Sequence, residues 1–243
     1  MIRATALALL IATPLMAASP ITKEVVGSGG RTREYFLFVP QRPGQLPTPM
    51  PLVVTLHGSG HDGRILVEHW QKLADKEGIV VAGPSSTDPQ HWASPIDGPD
   101  FLRDVVEDVK KKAPIDTRRI YLFGHSAGAI FGLQMSLLES EYFAATAVHA
   151  GLLYPTEYNL MSFAARKIPM WITVGTNDRF FSVDEVRKTR DQLQGRGFPV
   201  ELYEMPRHTH DYYGSSREIN DRAWQFLSKV KLEREPQFTQ YGK

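Results

Sequence analysis

The sequence predicts one α/β domain, a mostly parallel sheet covered by helices on both faces. Two observations carry this. Short, continuously apolar runs such as Leu52–Leu56 and Met170–Val174 alternate with stretches of helical spacing such as Phe101–Lys112. In addition, Gly124-His125-Ser126-Ala127-Gly128 falls between a strand-like run, Arg119–Phe123, and an apolar helix pattern, Ala129–Glu139. At 243 residues the chain suits a single domain with a full core.

The elements follow in order. Met1-Ile2-Arg3 is a short positive start, Ala4–Ala17 is apolar and interrupted by Pro14, and small residues lead into polar sequence. Residues 1–18 are therefore expected to be a signal peptide cut near Ala18, with residues 19–243 as the domain. Ile21–Val26 and Arg33–Val39 read as a hairpin across Gly27-Ser28-Gly29-Gly30, followed by a Pro-rich exposed linker, Gln41–Pro51. Strand Leu52–Leu56, helix Ile65–Glu77, strand Ile79–Ala82 and helix Phe101–Lys112 come next. After the Ser126 turn, strands are expected at Phe143–Val148, Met170–Val174 and Val200–Tyr203, with helices at Ser182–Leu193 and Arg217–Val230. Between Gly151 and Lys167 there is room for one short helix but no large cap domain, and the tail from Lys231 reads as loose.

Composition narrows the chemistry. The formal charge of +1 gives no basic excess for nucleic acid or anionic lipid, and Lys110-Lys111-Lys112 suits a helix end. With no cysteine there is no disulfide framework or thiolate metal site, and His208 and His210 lack carboxylates at ligand spacing, so neither metal nor cofactor is expected.

Ser126, at a strand-to-helix turn, is the candidate nucleophile; its flanking glycines remove Cβ atoms that would clash there. A serine hydroxyl needs a base, and the base a partner that fixes its tautomer. Asp178 follows a late strand through Gly175-Thr176-Asn177 and is the candidate acid, ahead of Asp184, which reads as part of a helix start. The base is sought in His208-Thr209-His210, with His210 favoured over His208. For a developing oxyanion, the Ala127 amide is one donor and Ser59, with Gly58 as its alternative, the other. His57 reads as a structural hydrogen-bonder, since it precedes the serine. Trp92 and Tyr154 lie in loops at the same sheet edge, where substrate contact and ordinary packing are equal readings; Tyr212, Tyr213 and His149 read chiefly as packing.

Several segments resemble the polyhydroxybutyrate depolymerase and feruloyl/acetyl-xylan esterase group of α/β-hydrolases: Pro51–Gly58, Leu73–Val81, Asp116–Gly128, Phe143-Ala144-Ala145 and Gly175–Asp178. The resemblance implies an α/β-hydrolase fold and a secreted or periplasmic carboxylic ester hydrolase whose triad is Ser126, Asp178 and His210. His208–Tyr213 resembles a variant in which the second histidine is the base. The chain departs from the group at Ala129, in its lack of cysteines near the oxyanion loop, and in having no appended binding module. The last favours a small-molecule or saccharide-linked ester as substrate over insoluble polymer. Alternatives are a serine peptidase of the same fold and a non-catalytic binding protein.

Overall fold

The computed structural model describes residues 20–41 and 48–239, so the expected leader and the middle of the linker lie outside the described residues. Eight strands form one sheet: β1 (Thr22–Ser28), β2 (Arg31–Phe38), β3 (Met50–Leu56), β4 (Val80–Pro84), β5 (Ile115–His125), β6 (Ala145–His149), β7 (Met170–Gly175) and β8 (Val200–Met205). Their order across the sheet is β1-β2-β4-β3-β5-β6-β7-β8. β2 runs antiparallel to both β1 and β4, and every pair from β4 onward is parallel.

The apolar strands are continuous because both faces are covered. Along β5, Ile120 and Leu122 enter one core cluster while Tyr121 and Phe123 enter the other. Helices α2 (Pro99–Lys112), α3 (Ala127–Leu138) and α4 (Val183–Gln194) close the first face. Helices α1 (Gly63–Glu77) and α5 (Ser216–Leu227) close the second, around Trp70, Phe123 and Tyr212. Local signals set the helix ends. Asp62 caps α1 by accepting from the Arg64 amide at 3.0 Å, and Gly78, in a left-handed conformation, ends it. Ser182 and Glu185 form a reciprocal cap on α4, whose first turn contains Asp184.

Four expectations needed adjustment. The β1–β2 connection is only Gly29-Gly30, both with positive φ; two such residues match the strand twist and let pairing run to Ser28 and Arg31. Met50 and Pro51 belong to β3 rather than to an exposed linker, since Met50 pairs with Ile115 and is buried. β5 starts at Ile115, four residues before the expected strand Arg119–Phe123. Its polar start is held by Asp116, which binds Arg119 and Lys231, each at 2.8 Å. The tail is not loose as far as residue 239. Leu232 donates to the Arg118 carbonyl, Gln237 to that of Glu141, and Phe238 packs edge-on against Tyr142. Among the described residues, no helix is long and apolar enough to cross a membrane.

Candidate active site

The turn at Ser126 joins β5 to α3. Ser126 has φ 55° and ψ −119°, a strained conformation for a residue with a Cβ. Its amide donates to the His149 carbonyl at 3.1 Å, which fixes the turn to the neighbouring strand. The glycines are required by close approach. A Cβ on Gly128 would overlap the Leu56 carbonyl, and one on Gly124 would overlap the Gly128 carbonyl.

Parallel strands deliver the other groups to the same sheet edge. His210 Nε2 lies 2.9 Å from Ser126 Oγ, and His210 Nδ1 lies 2.8 Å from Asp178 Oδ2. The second Asp178 oxygen accepts from the amides of Phe180 and Phe181 at 2.8 and 3.0 Å. Burial pushes the Asp178 carboxyl up, but the His210 hydrogen bond and the two amides outweigh it and hold the group below the usual carboxylate range. An ionised Asp178 at Nδ1 puts the proton there and leaves Nε2 free to accept from the serine hydroxyl. The acid turn and base loop are joined directly. Thr176 and Asn177 donate to the Met205 and His208 carbonyls at 2.9 and 2.8 Å, and the Arg207 amide donates to Thr176 Oγ1 at 2.7 Å. His208 itself points elsewhere, its Nε2 lying 3.2 Å from His149 Nε2. Asp184 pairs with Arg187 on α4.

On the opposite side of Ser126 runs the 57–60 loop. The Gly58 backbone passes so close that a Cβ there would lie 3.3 Å from the Ser126 Cβ. The Ala127 amide opens α3, where helix geometry leaves N–H groups without intrahelical acceptors. His57 is a structural hydrogen-bonder: Nε2 accepts from the Ser86 amide at 3.1 Å and Nδ1 faces the Gly58 carbonyl at 2.9 Å. Its pKa is lowered, chiefly by burial, which keeps it neutral. Ser59 Oγ donates to the Gln90 carbonyl, the Gly60 amide to that of Pro89, and the Trp92 indole to that of His57. Trp92 also stacks on Phe131 at 4.9 Å, so packing accounts for its ring. Tyr154 is exposed, and its amide bonds Glu157 at the start of a short 3₁₀ helix, Pro155–Ser162.

Sequence reading missed Phe180 and the loop that holds residues 57–60. Phe180 is 75% exposed, with its ring 4.7 Å from that of His210. It borders a cavity of about 660 Å³ with Asn177, Arg179, Thr209, His210 and Asp211. An apolar residue two positions after a candidate acid was the available signal. A cleft of about 730 Å³ between α1 and α5 lies apart from this site, among Lys76, Glu77, Arg217 and Asp221, with no serine–histidine pair. Among the described residues, no cluster of His, Asp and Glu suited to a metal ion occurs.

Comparison with known proteins agrees with this architecture. A bifunctional acetylxylan esterase/xylanase of Neocallimastix patriciarum is 32% identical over 161 residues, covering 62% of this chain and 23% of that protein. The chain thus spans about a quarter of that relative's length. Among solved structures, the fluorophosphonate-binding serine hydrolase F of Staphylococcus aureus superposes with TM-score 0.71 at 15% identity, over 87% of this chain and 99% of that one. A ferulic acid esterase superposes with TM-score 0.67 at 15% identity, over 87% and 98%. At such identities the two structures speak to fold alone. The alpha/beta hydrolase family model matches residues 53–229, from β3 past the end of α5 and through every element of the site, and the chain belongs to that family.

Proposed function

We propose that this chain is an exported serine carboxylic ester hydrolase that works through an acyl-enzyme on feruloyl, acetyl or short hydroxyalkanoate esters. The observation that carries the reading is the continuous line Asp178–His210–Ser126, with contacts of 2.8 and 2.9 Å. In this mechanism His210 Nε2 takes the proton of Ser126 Oγ as that oxygen attacks the ester carbonyl. Asp178 steadies the imidazolium, and the amides of Ala127 and of Ser59 or Gly58 face the oxyanion. The carbonyl–alcohol bond then breaks, and the departing oxygen leaves with the proton from His210. Water, activated by the same histidine, repeats the attack and releases the acid. The overall balance is ester plus water giving acid plus alcohol, and no cofactor enters.

Because His210 must reach the departing oxygen, the alcohol belongs in the cavity beside it, against Phe180 and the polar rim of Asn177, Arg179 and Thr209. An aromatic face with a hydrogen-bonding rim suits a saccharide-linked alcohol. The acetylxylan esterase/xylanase relative is consistent with such a substrate. Export rests on the leader pattern of residues 1–18; the mass of the protein recovered outside the cytoplasm tests it, and an intact leader there would count against cleavage.

The direct test compares initial rates on methyl ferulate and p-nitrophenyl acetate for the protein and Ser126→Ala. Hydrolysis of either that disappears with the serine supports the reading, and ferulate turnover assigns a hydroxycinnamoyl acyl group. Serine-independent rates on both would sink it.

A further inference from the structure

Three histidines beside the site have no part in that mechanism. His125 immediately precedes Ser126, His149 ends β6, and His208 lies two residues before His210. His125 and His149 are register partners across β5 and β6, and both are buried. Their Nδ1 atoms lie 3.0 Å apart, and His149 Nε2 lies 3.2 Å from His208 Nε2. His208 Nδ1 is within 3.5 Å of the Ser215 hydroxyl, at the start of α5. We propose that His125, His149 and His208 form a hydrogen-bonded chain that sets the position of His210 against Ser126, with His208 the positioning residue of the base loop. The proposal rests on the reading of Ser126 and His210 as nucleophile and base.

Proton counting constrains the chain. A neutral imidazole has one N–H and one lone pair, and both His149 nitrogens face another ring nitrogen. His149 therefore donates to one neighbour and accepts from the other, so the tautomers of the outer two rings are set together. Burial, reinforced by the charge of His210 and only partly opposed by the His149 hydrogen bond, holds His125 down at about 3; burial, reinforced by His125, His208 and His210, holds His149 at about 2, so both stay neutral at ordinary pH.

The chain spans all three parts of the triad. The His149 carbonyl accepts the Ser126 amide, while its ring meets His208. The His208 carbonyl accepts the Asn177 amide, one residue before Asp178. A Cβ on Gly175 would overlap that same carbonyl, so the acid turn packs directly on this residue. A shift of His208 thus moves base loop and acid turn together relative to the serine.

The experiment uses His208→Ala, His208→Gln, whose amide reaches about as far as imidazole Nε2, and His208→Asn, one bond shorter. Fluorophosphonate titration counts competent sites, steady-state rates on p-nitrophenyl acetate give kcat and KM per titrated site, and proton NMR follows the low-field signal of the His210 Nδ1–H. For Ala and Asn the expected result is full titration, kcat lower by roughly 10- to 100-fold with KM little changed, and a displaced or broadened signal. Gln should recover most of both. Asn keeps a polar side chain at this partly buried position, so it stands in should Ala fail to fold. Wild-type kcat and signal in Ala or Asn would overturn the proposal. So would a reduced titre with normal turnover per site, because that marks a role in stability alone. If the parent protein does not react with the probe, the reading of Ser126 fails instead, and the His210 signal still decides whether His208 positions that ring.

Discussion

The two sides of Ser126 are held by different means. On the base side, loops after β7 and β8 are tied by short backbone bonds, and the polar groups are buried and partly buried histidines and one carboxylate, Asp178. On the oxyanion side, the 57–60 loop has few bonds of its own and leans on residues 85–98. That segment is organised around a buried ion pair, Arg33–Asp97, at 2.7 Å. Arg33 also donates to the Ser85 and Ile96 carbonyls, while Asp97 accepts from Thr87 and Ala93 amides, and Phe101 lies under the guanidinium. The base side is therefore organised by Asp178 and His210 together with the histidines packed beside them. The 57–60 side is organised by a charge pair shut away from solvent. Damage to the first should cost rate, and damage to the second should cost stability before rate.

The sharpest way to break this contrast is Asp178→Asn. With the tautomer of His210 no longer enforced, kcat on p-nitrophenyl acetate should fall by about 10⁴-fold, while the urea midpoint changes little; a comparable loss of stability would erase the distinction. Asp97→Asn should do the reverse. Arg33 is left buried without its counter-charge, which costs roughly 3–5 kcal/mol in denaturant unfolding. An unchanged midpoint would show that the ion pair does not organise the 85–98 segment.

Acid gives a further handle on the histidines beside the base. His125 and His149 are held below the value of about 6.5 that they have when unfolded, so below that pH the unfolded chain takes up protons that the native state refuses. Stability is then complete above about pH 6.5 and falls as pH drops towards 5, by at most roughly 1.4 kcal/mol per pH unit for each histidine. His149→Phe should flatten that slope in urea titrations at several pH values. The smallest effect is expected from Trp92→Phe, which keeps the stack on Phe131 and loses the indole bond to the His57 carbonyl. About 1 kcal/mol of stability and a fall in kcat of up to roughly tenfold would fit a loop positioned from outside. A change confined to KM would instead place the ring against substrate.

Legibility in the sequence follows the same division. The Ser126 turn was readable because its glycines are sterically required and fall within one pentapeptide, Gly124–Gly128. Asp178 and His210 were readable because parallel strands bring late loops to one edge, a rule that needs no contact map. The positions of β3 through β8 followed from apolar runs. The polar start of β5 did not, since Asp116-Thr117-Arg118-Arg119 falls in the register shift between the Met50–Ile115 and Leu52–Ile120 pairs and gives no periodic signal. Arg33 and Asp97 are 64 residues apart and look like any two surface charges until the fold buries them. The histidine chain was hidden for a similar reason. His125 and His149 become neighbours only through strand register, and His208 reaches them from the loop after β8; a sheet-end histidine is otherwise an ordinary residue.

One feature away from the chemistry bears on how the molecule can be handled. Residues 232–239 run back along the amino end of β5 and the carboxyl end of α3, pairing with Arg118, Glu139 and Glu141. Ser126 lies at the other end of both elements. Whatever is joined after Thr239, a bead, an electrode or a second protein, is thus attached across the thickness of the molecule from the serine. Immobilisation through that end should leave the sheet edge that carries Ser126 turned outward.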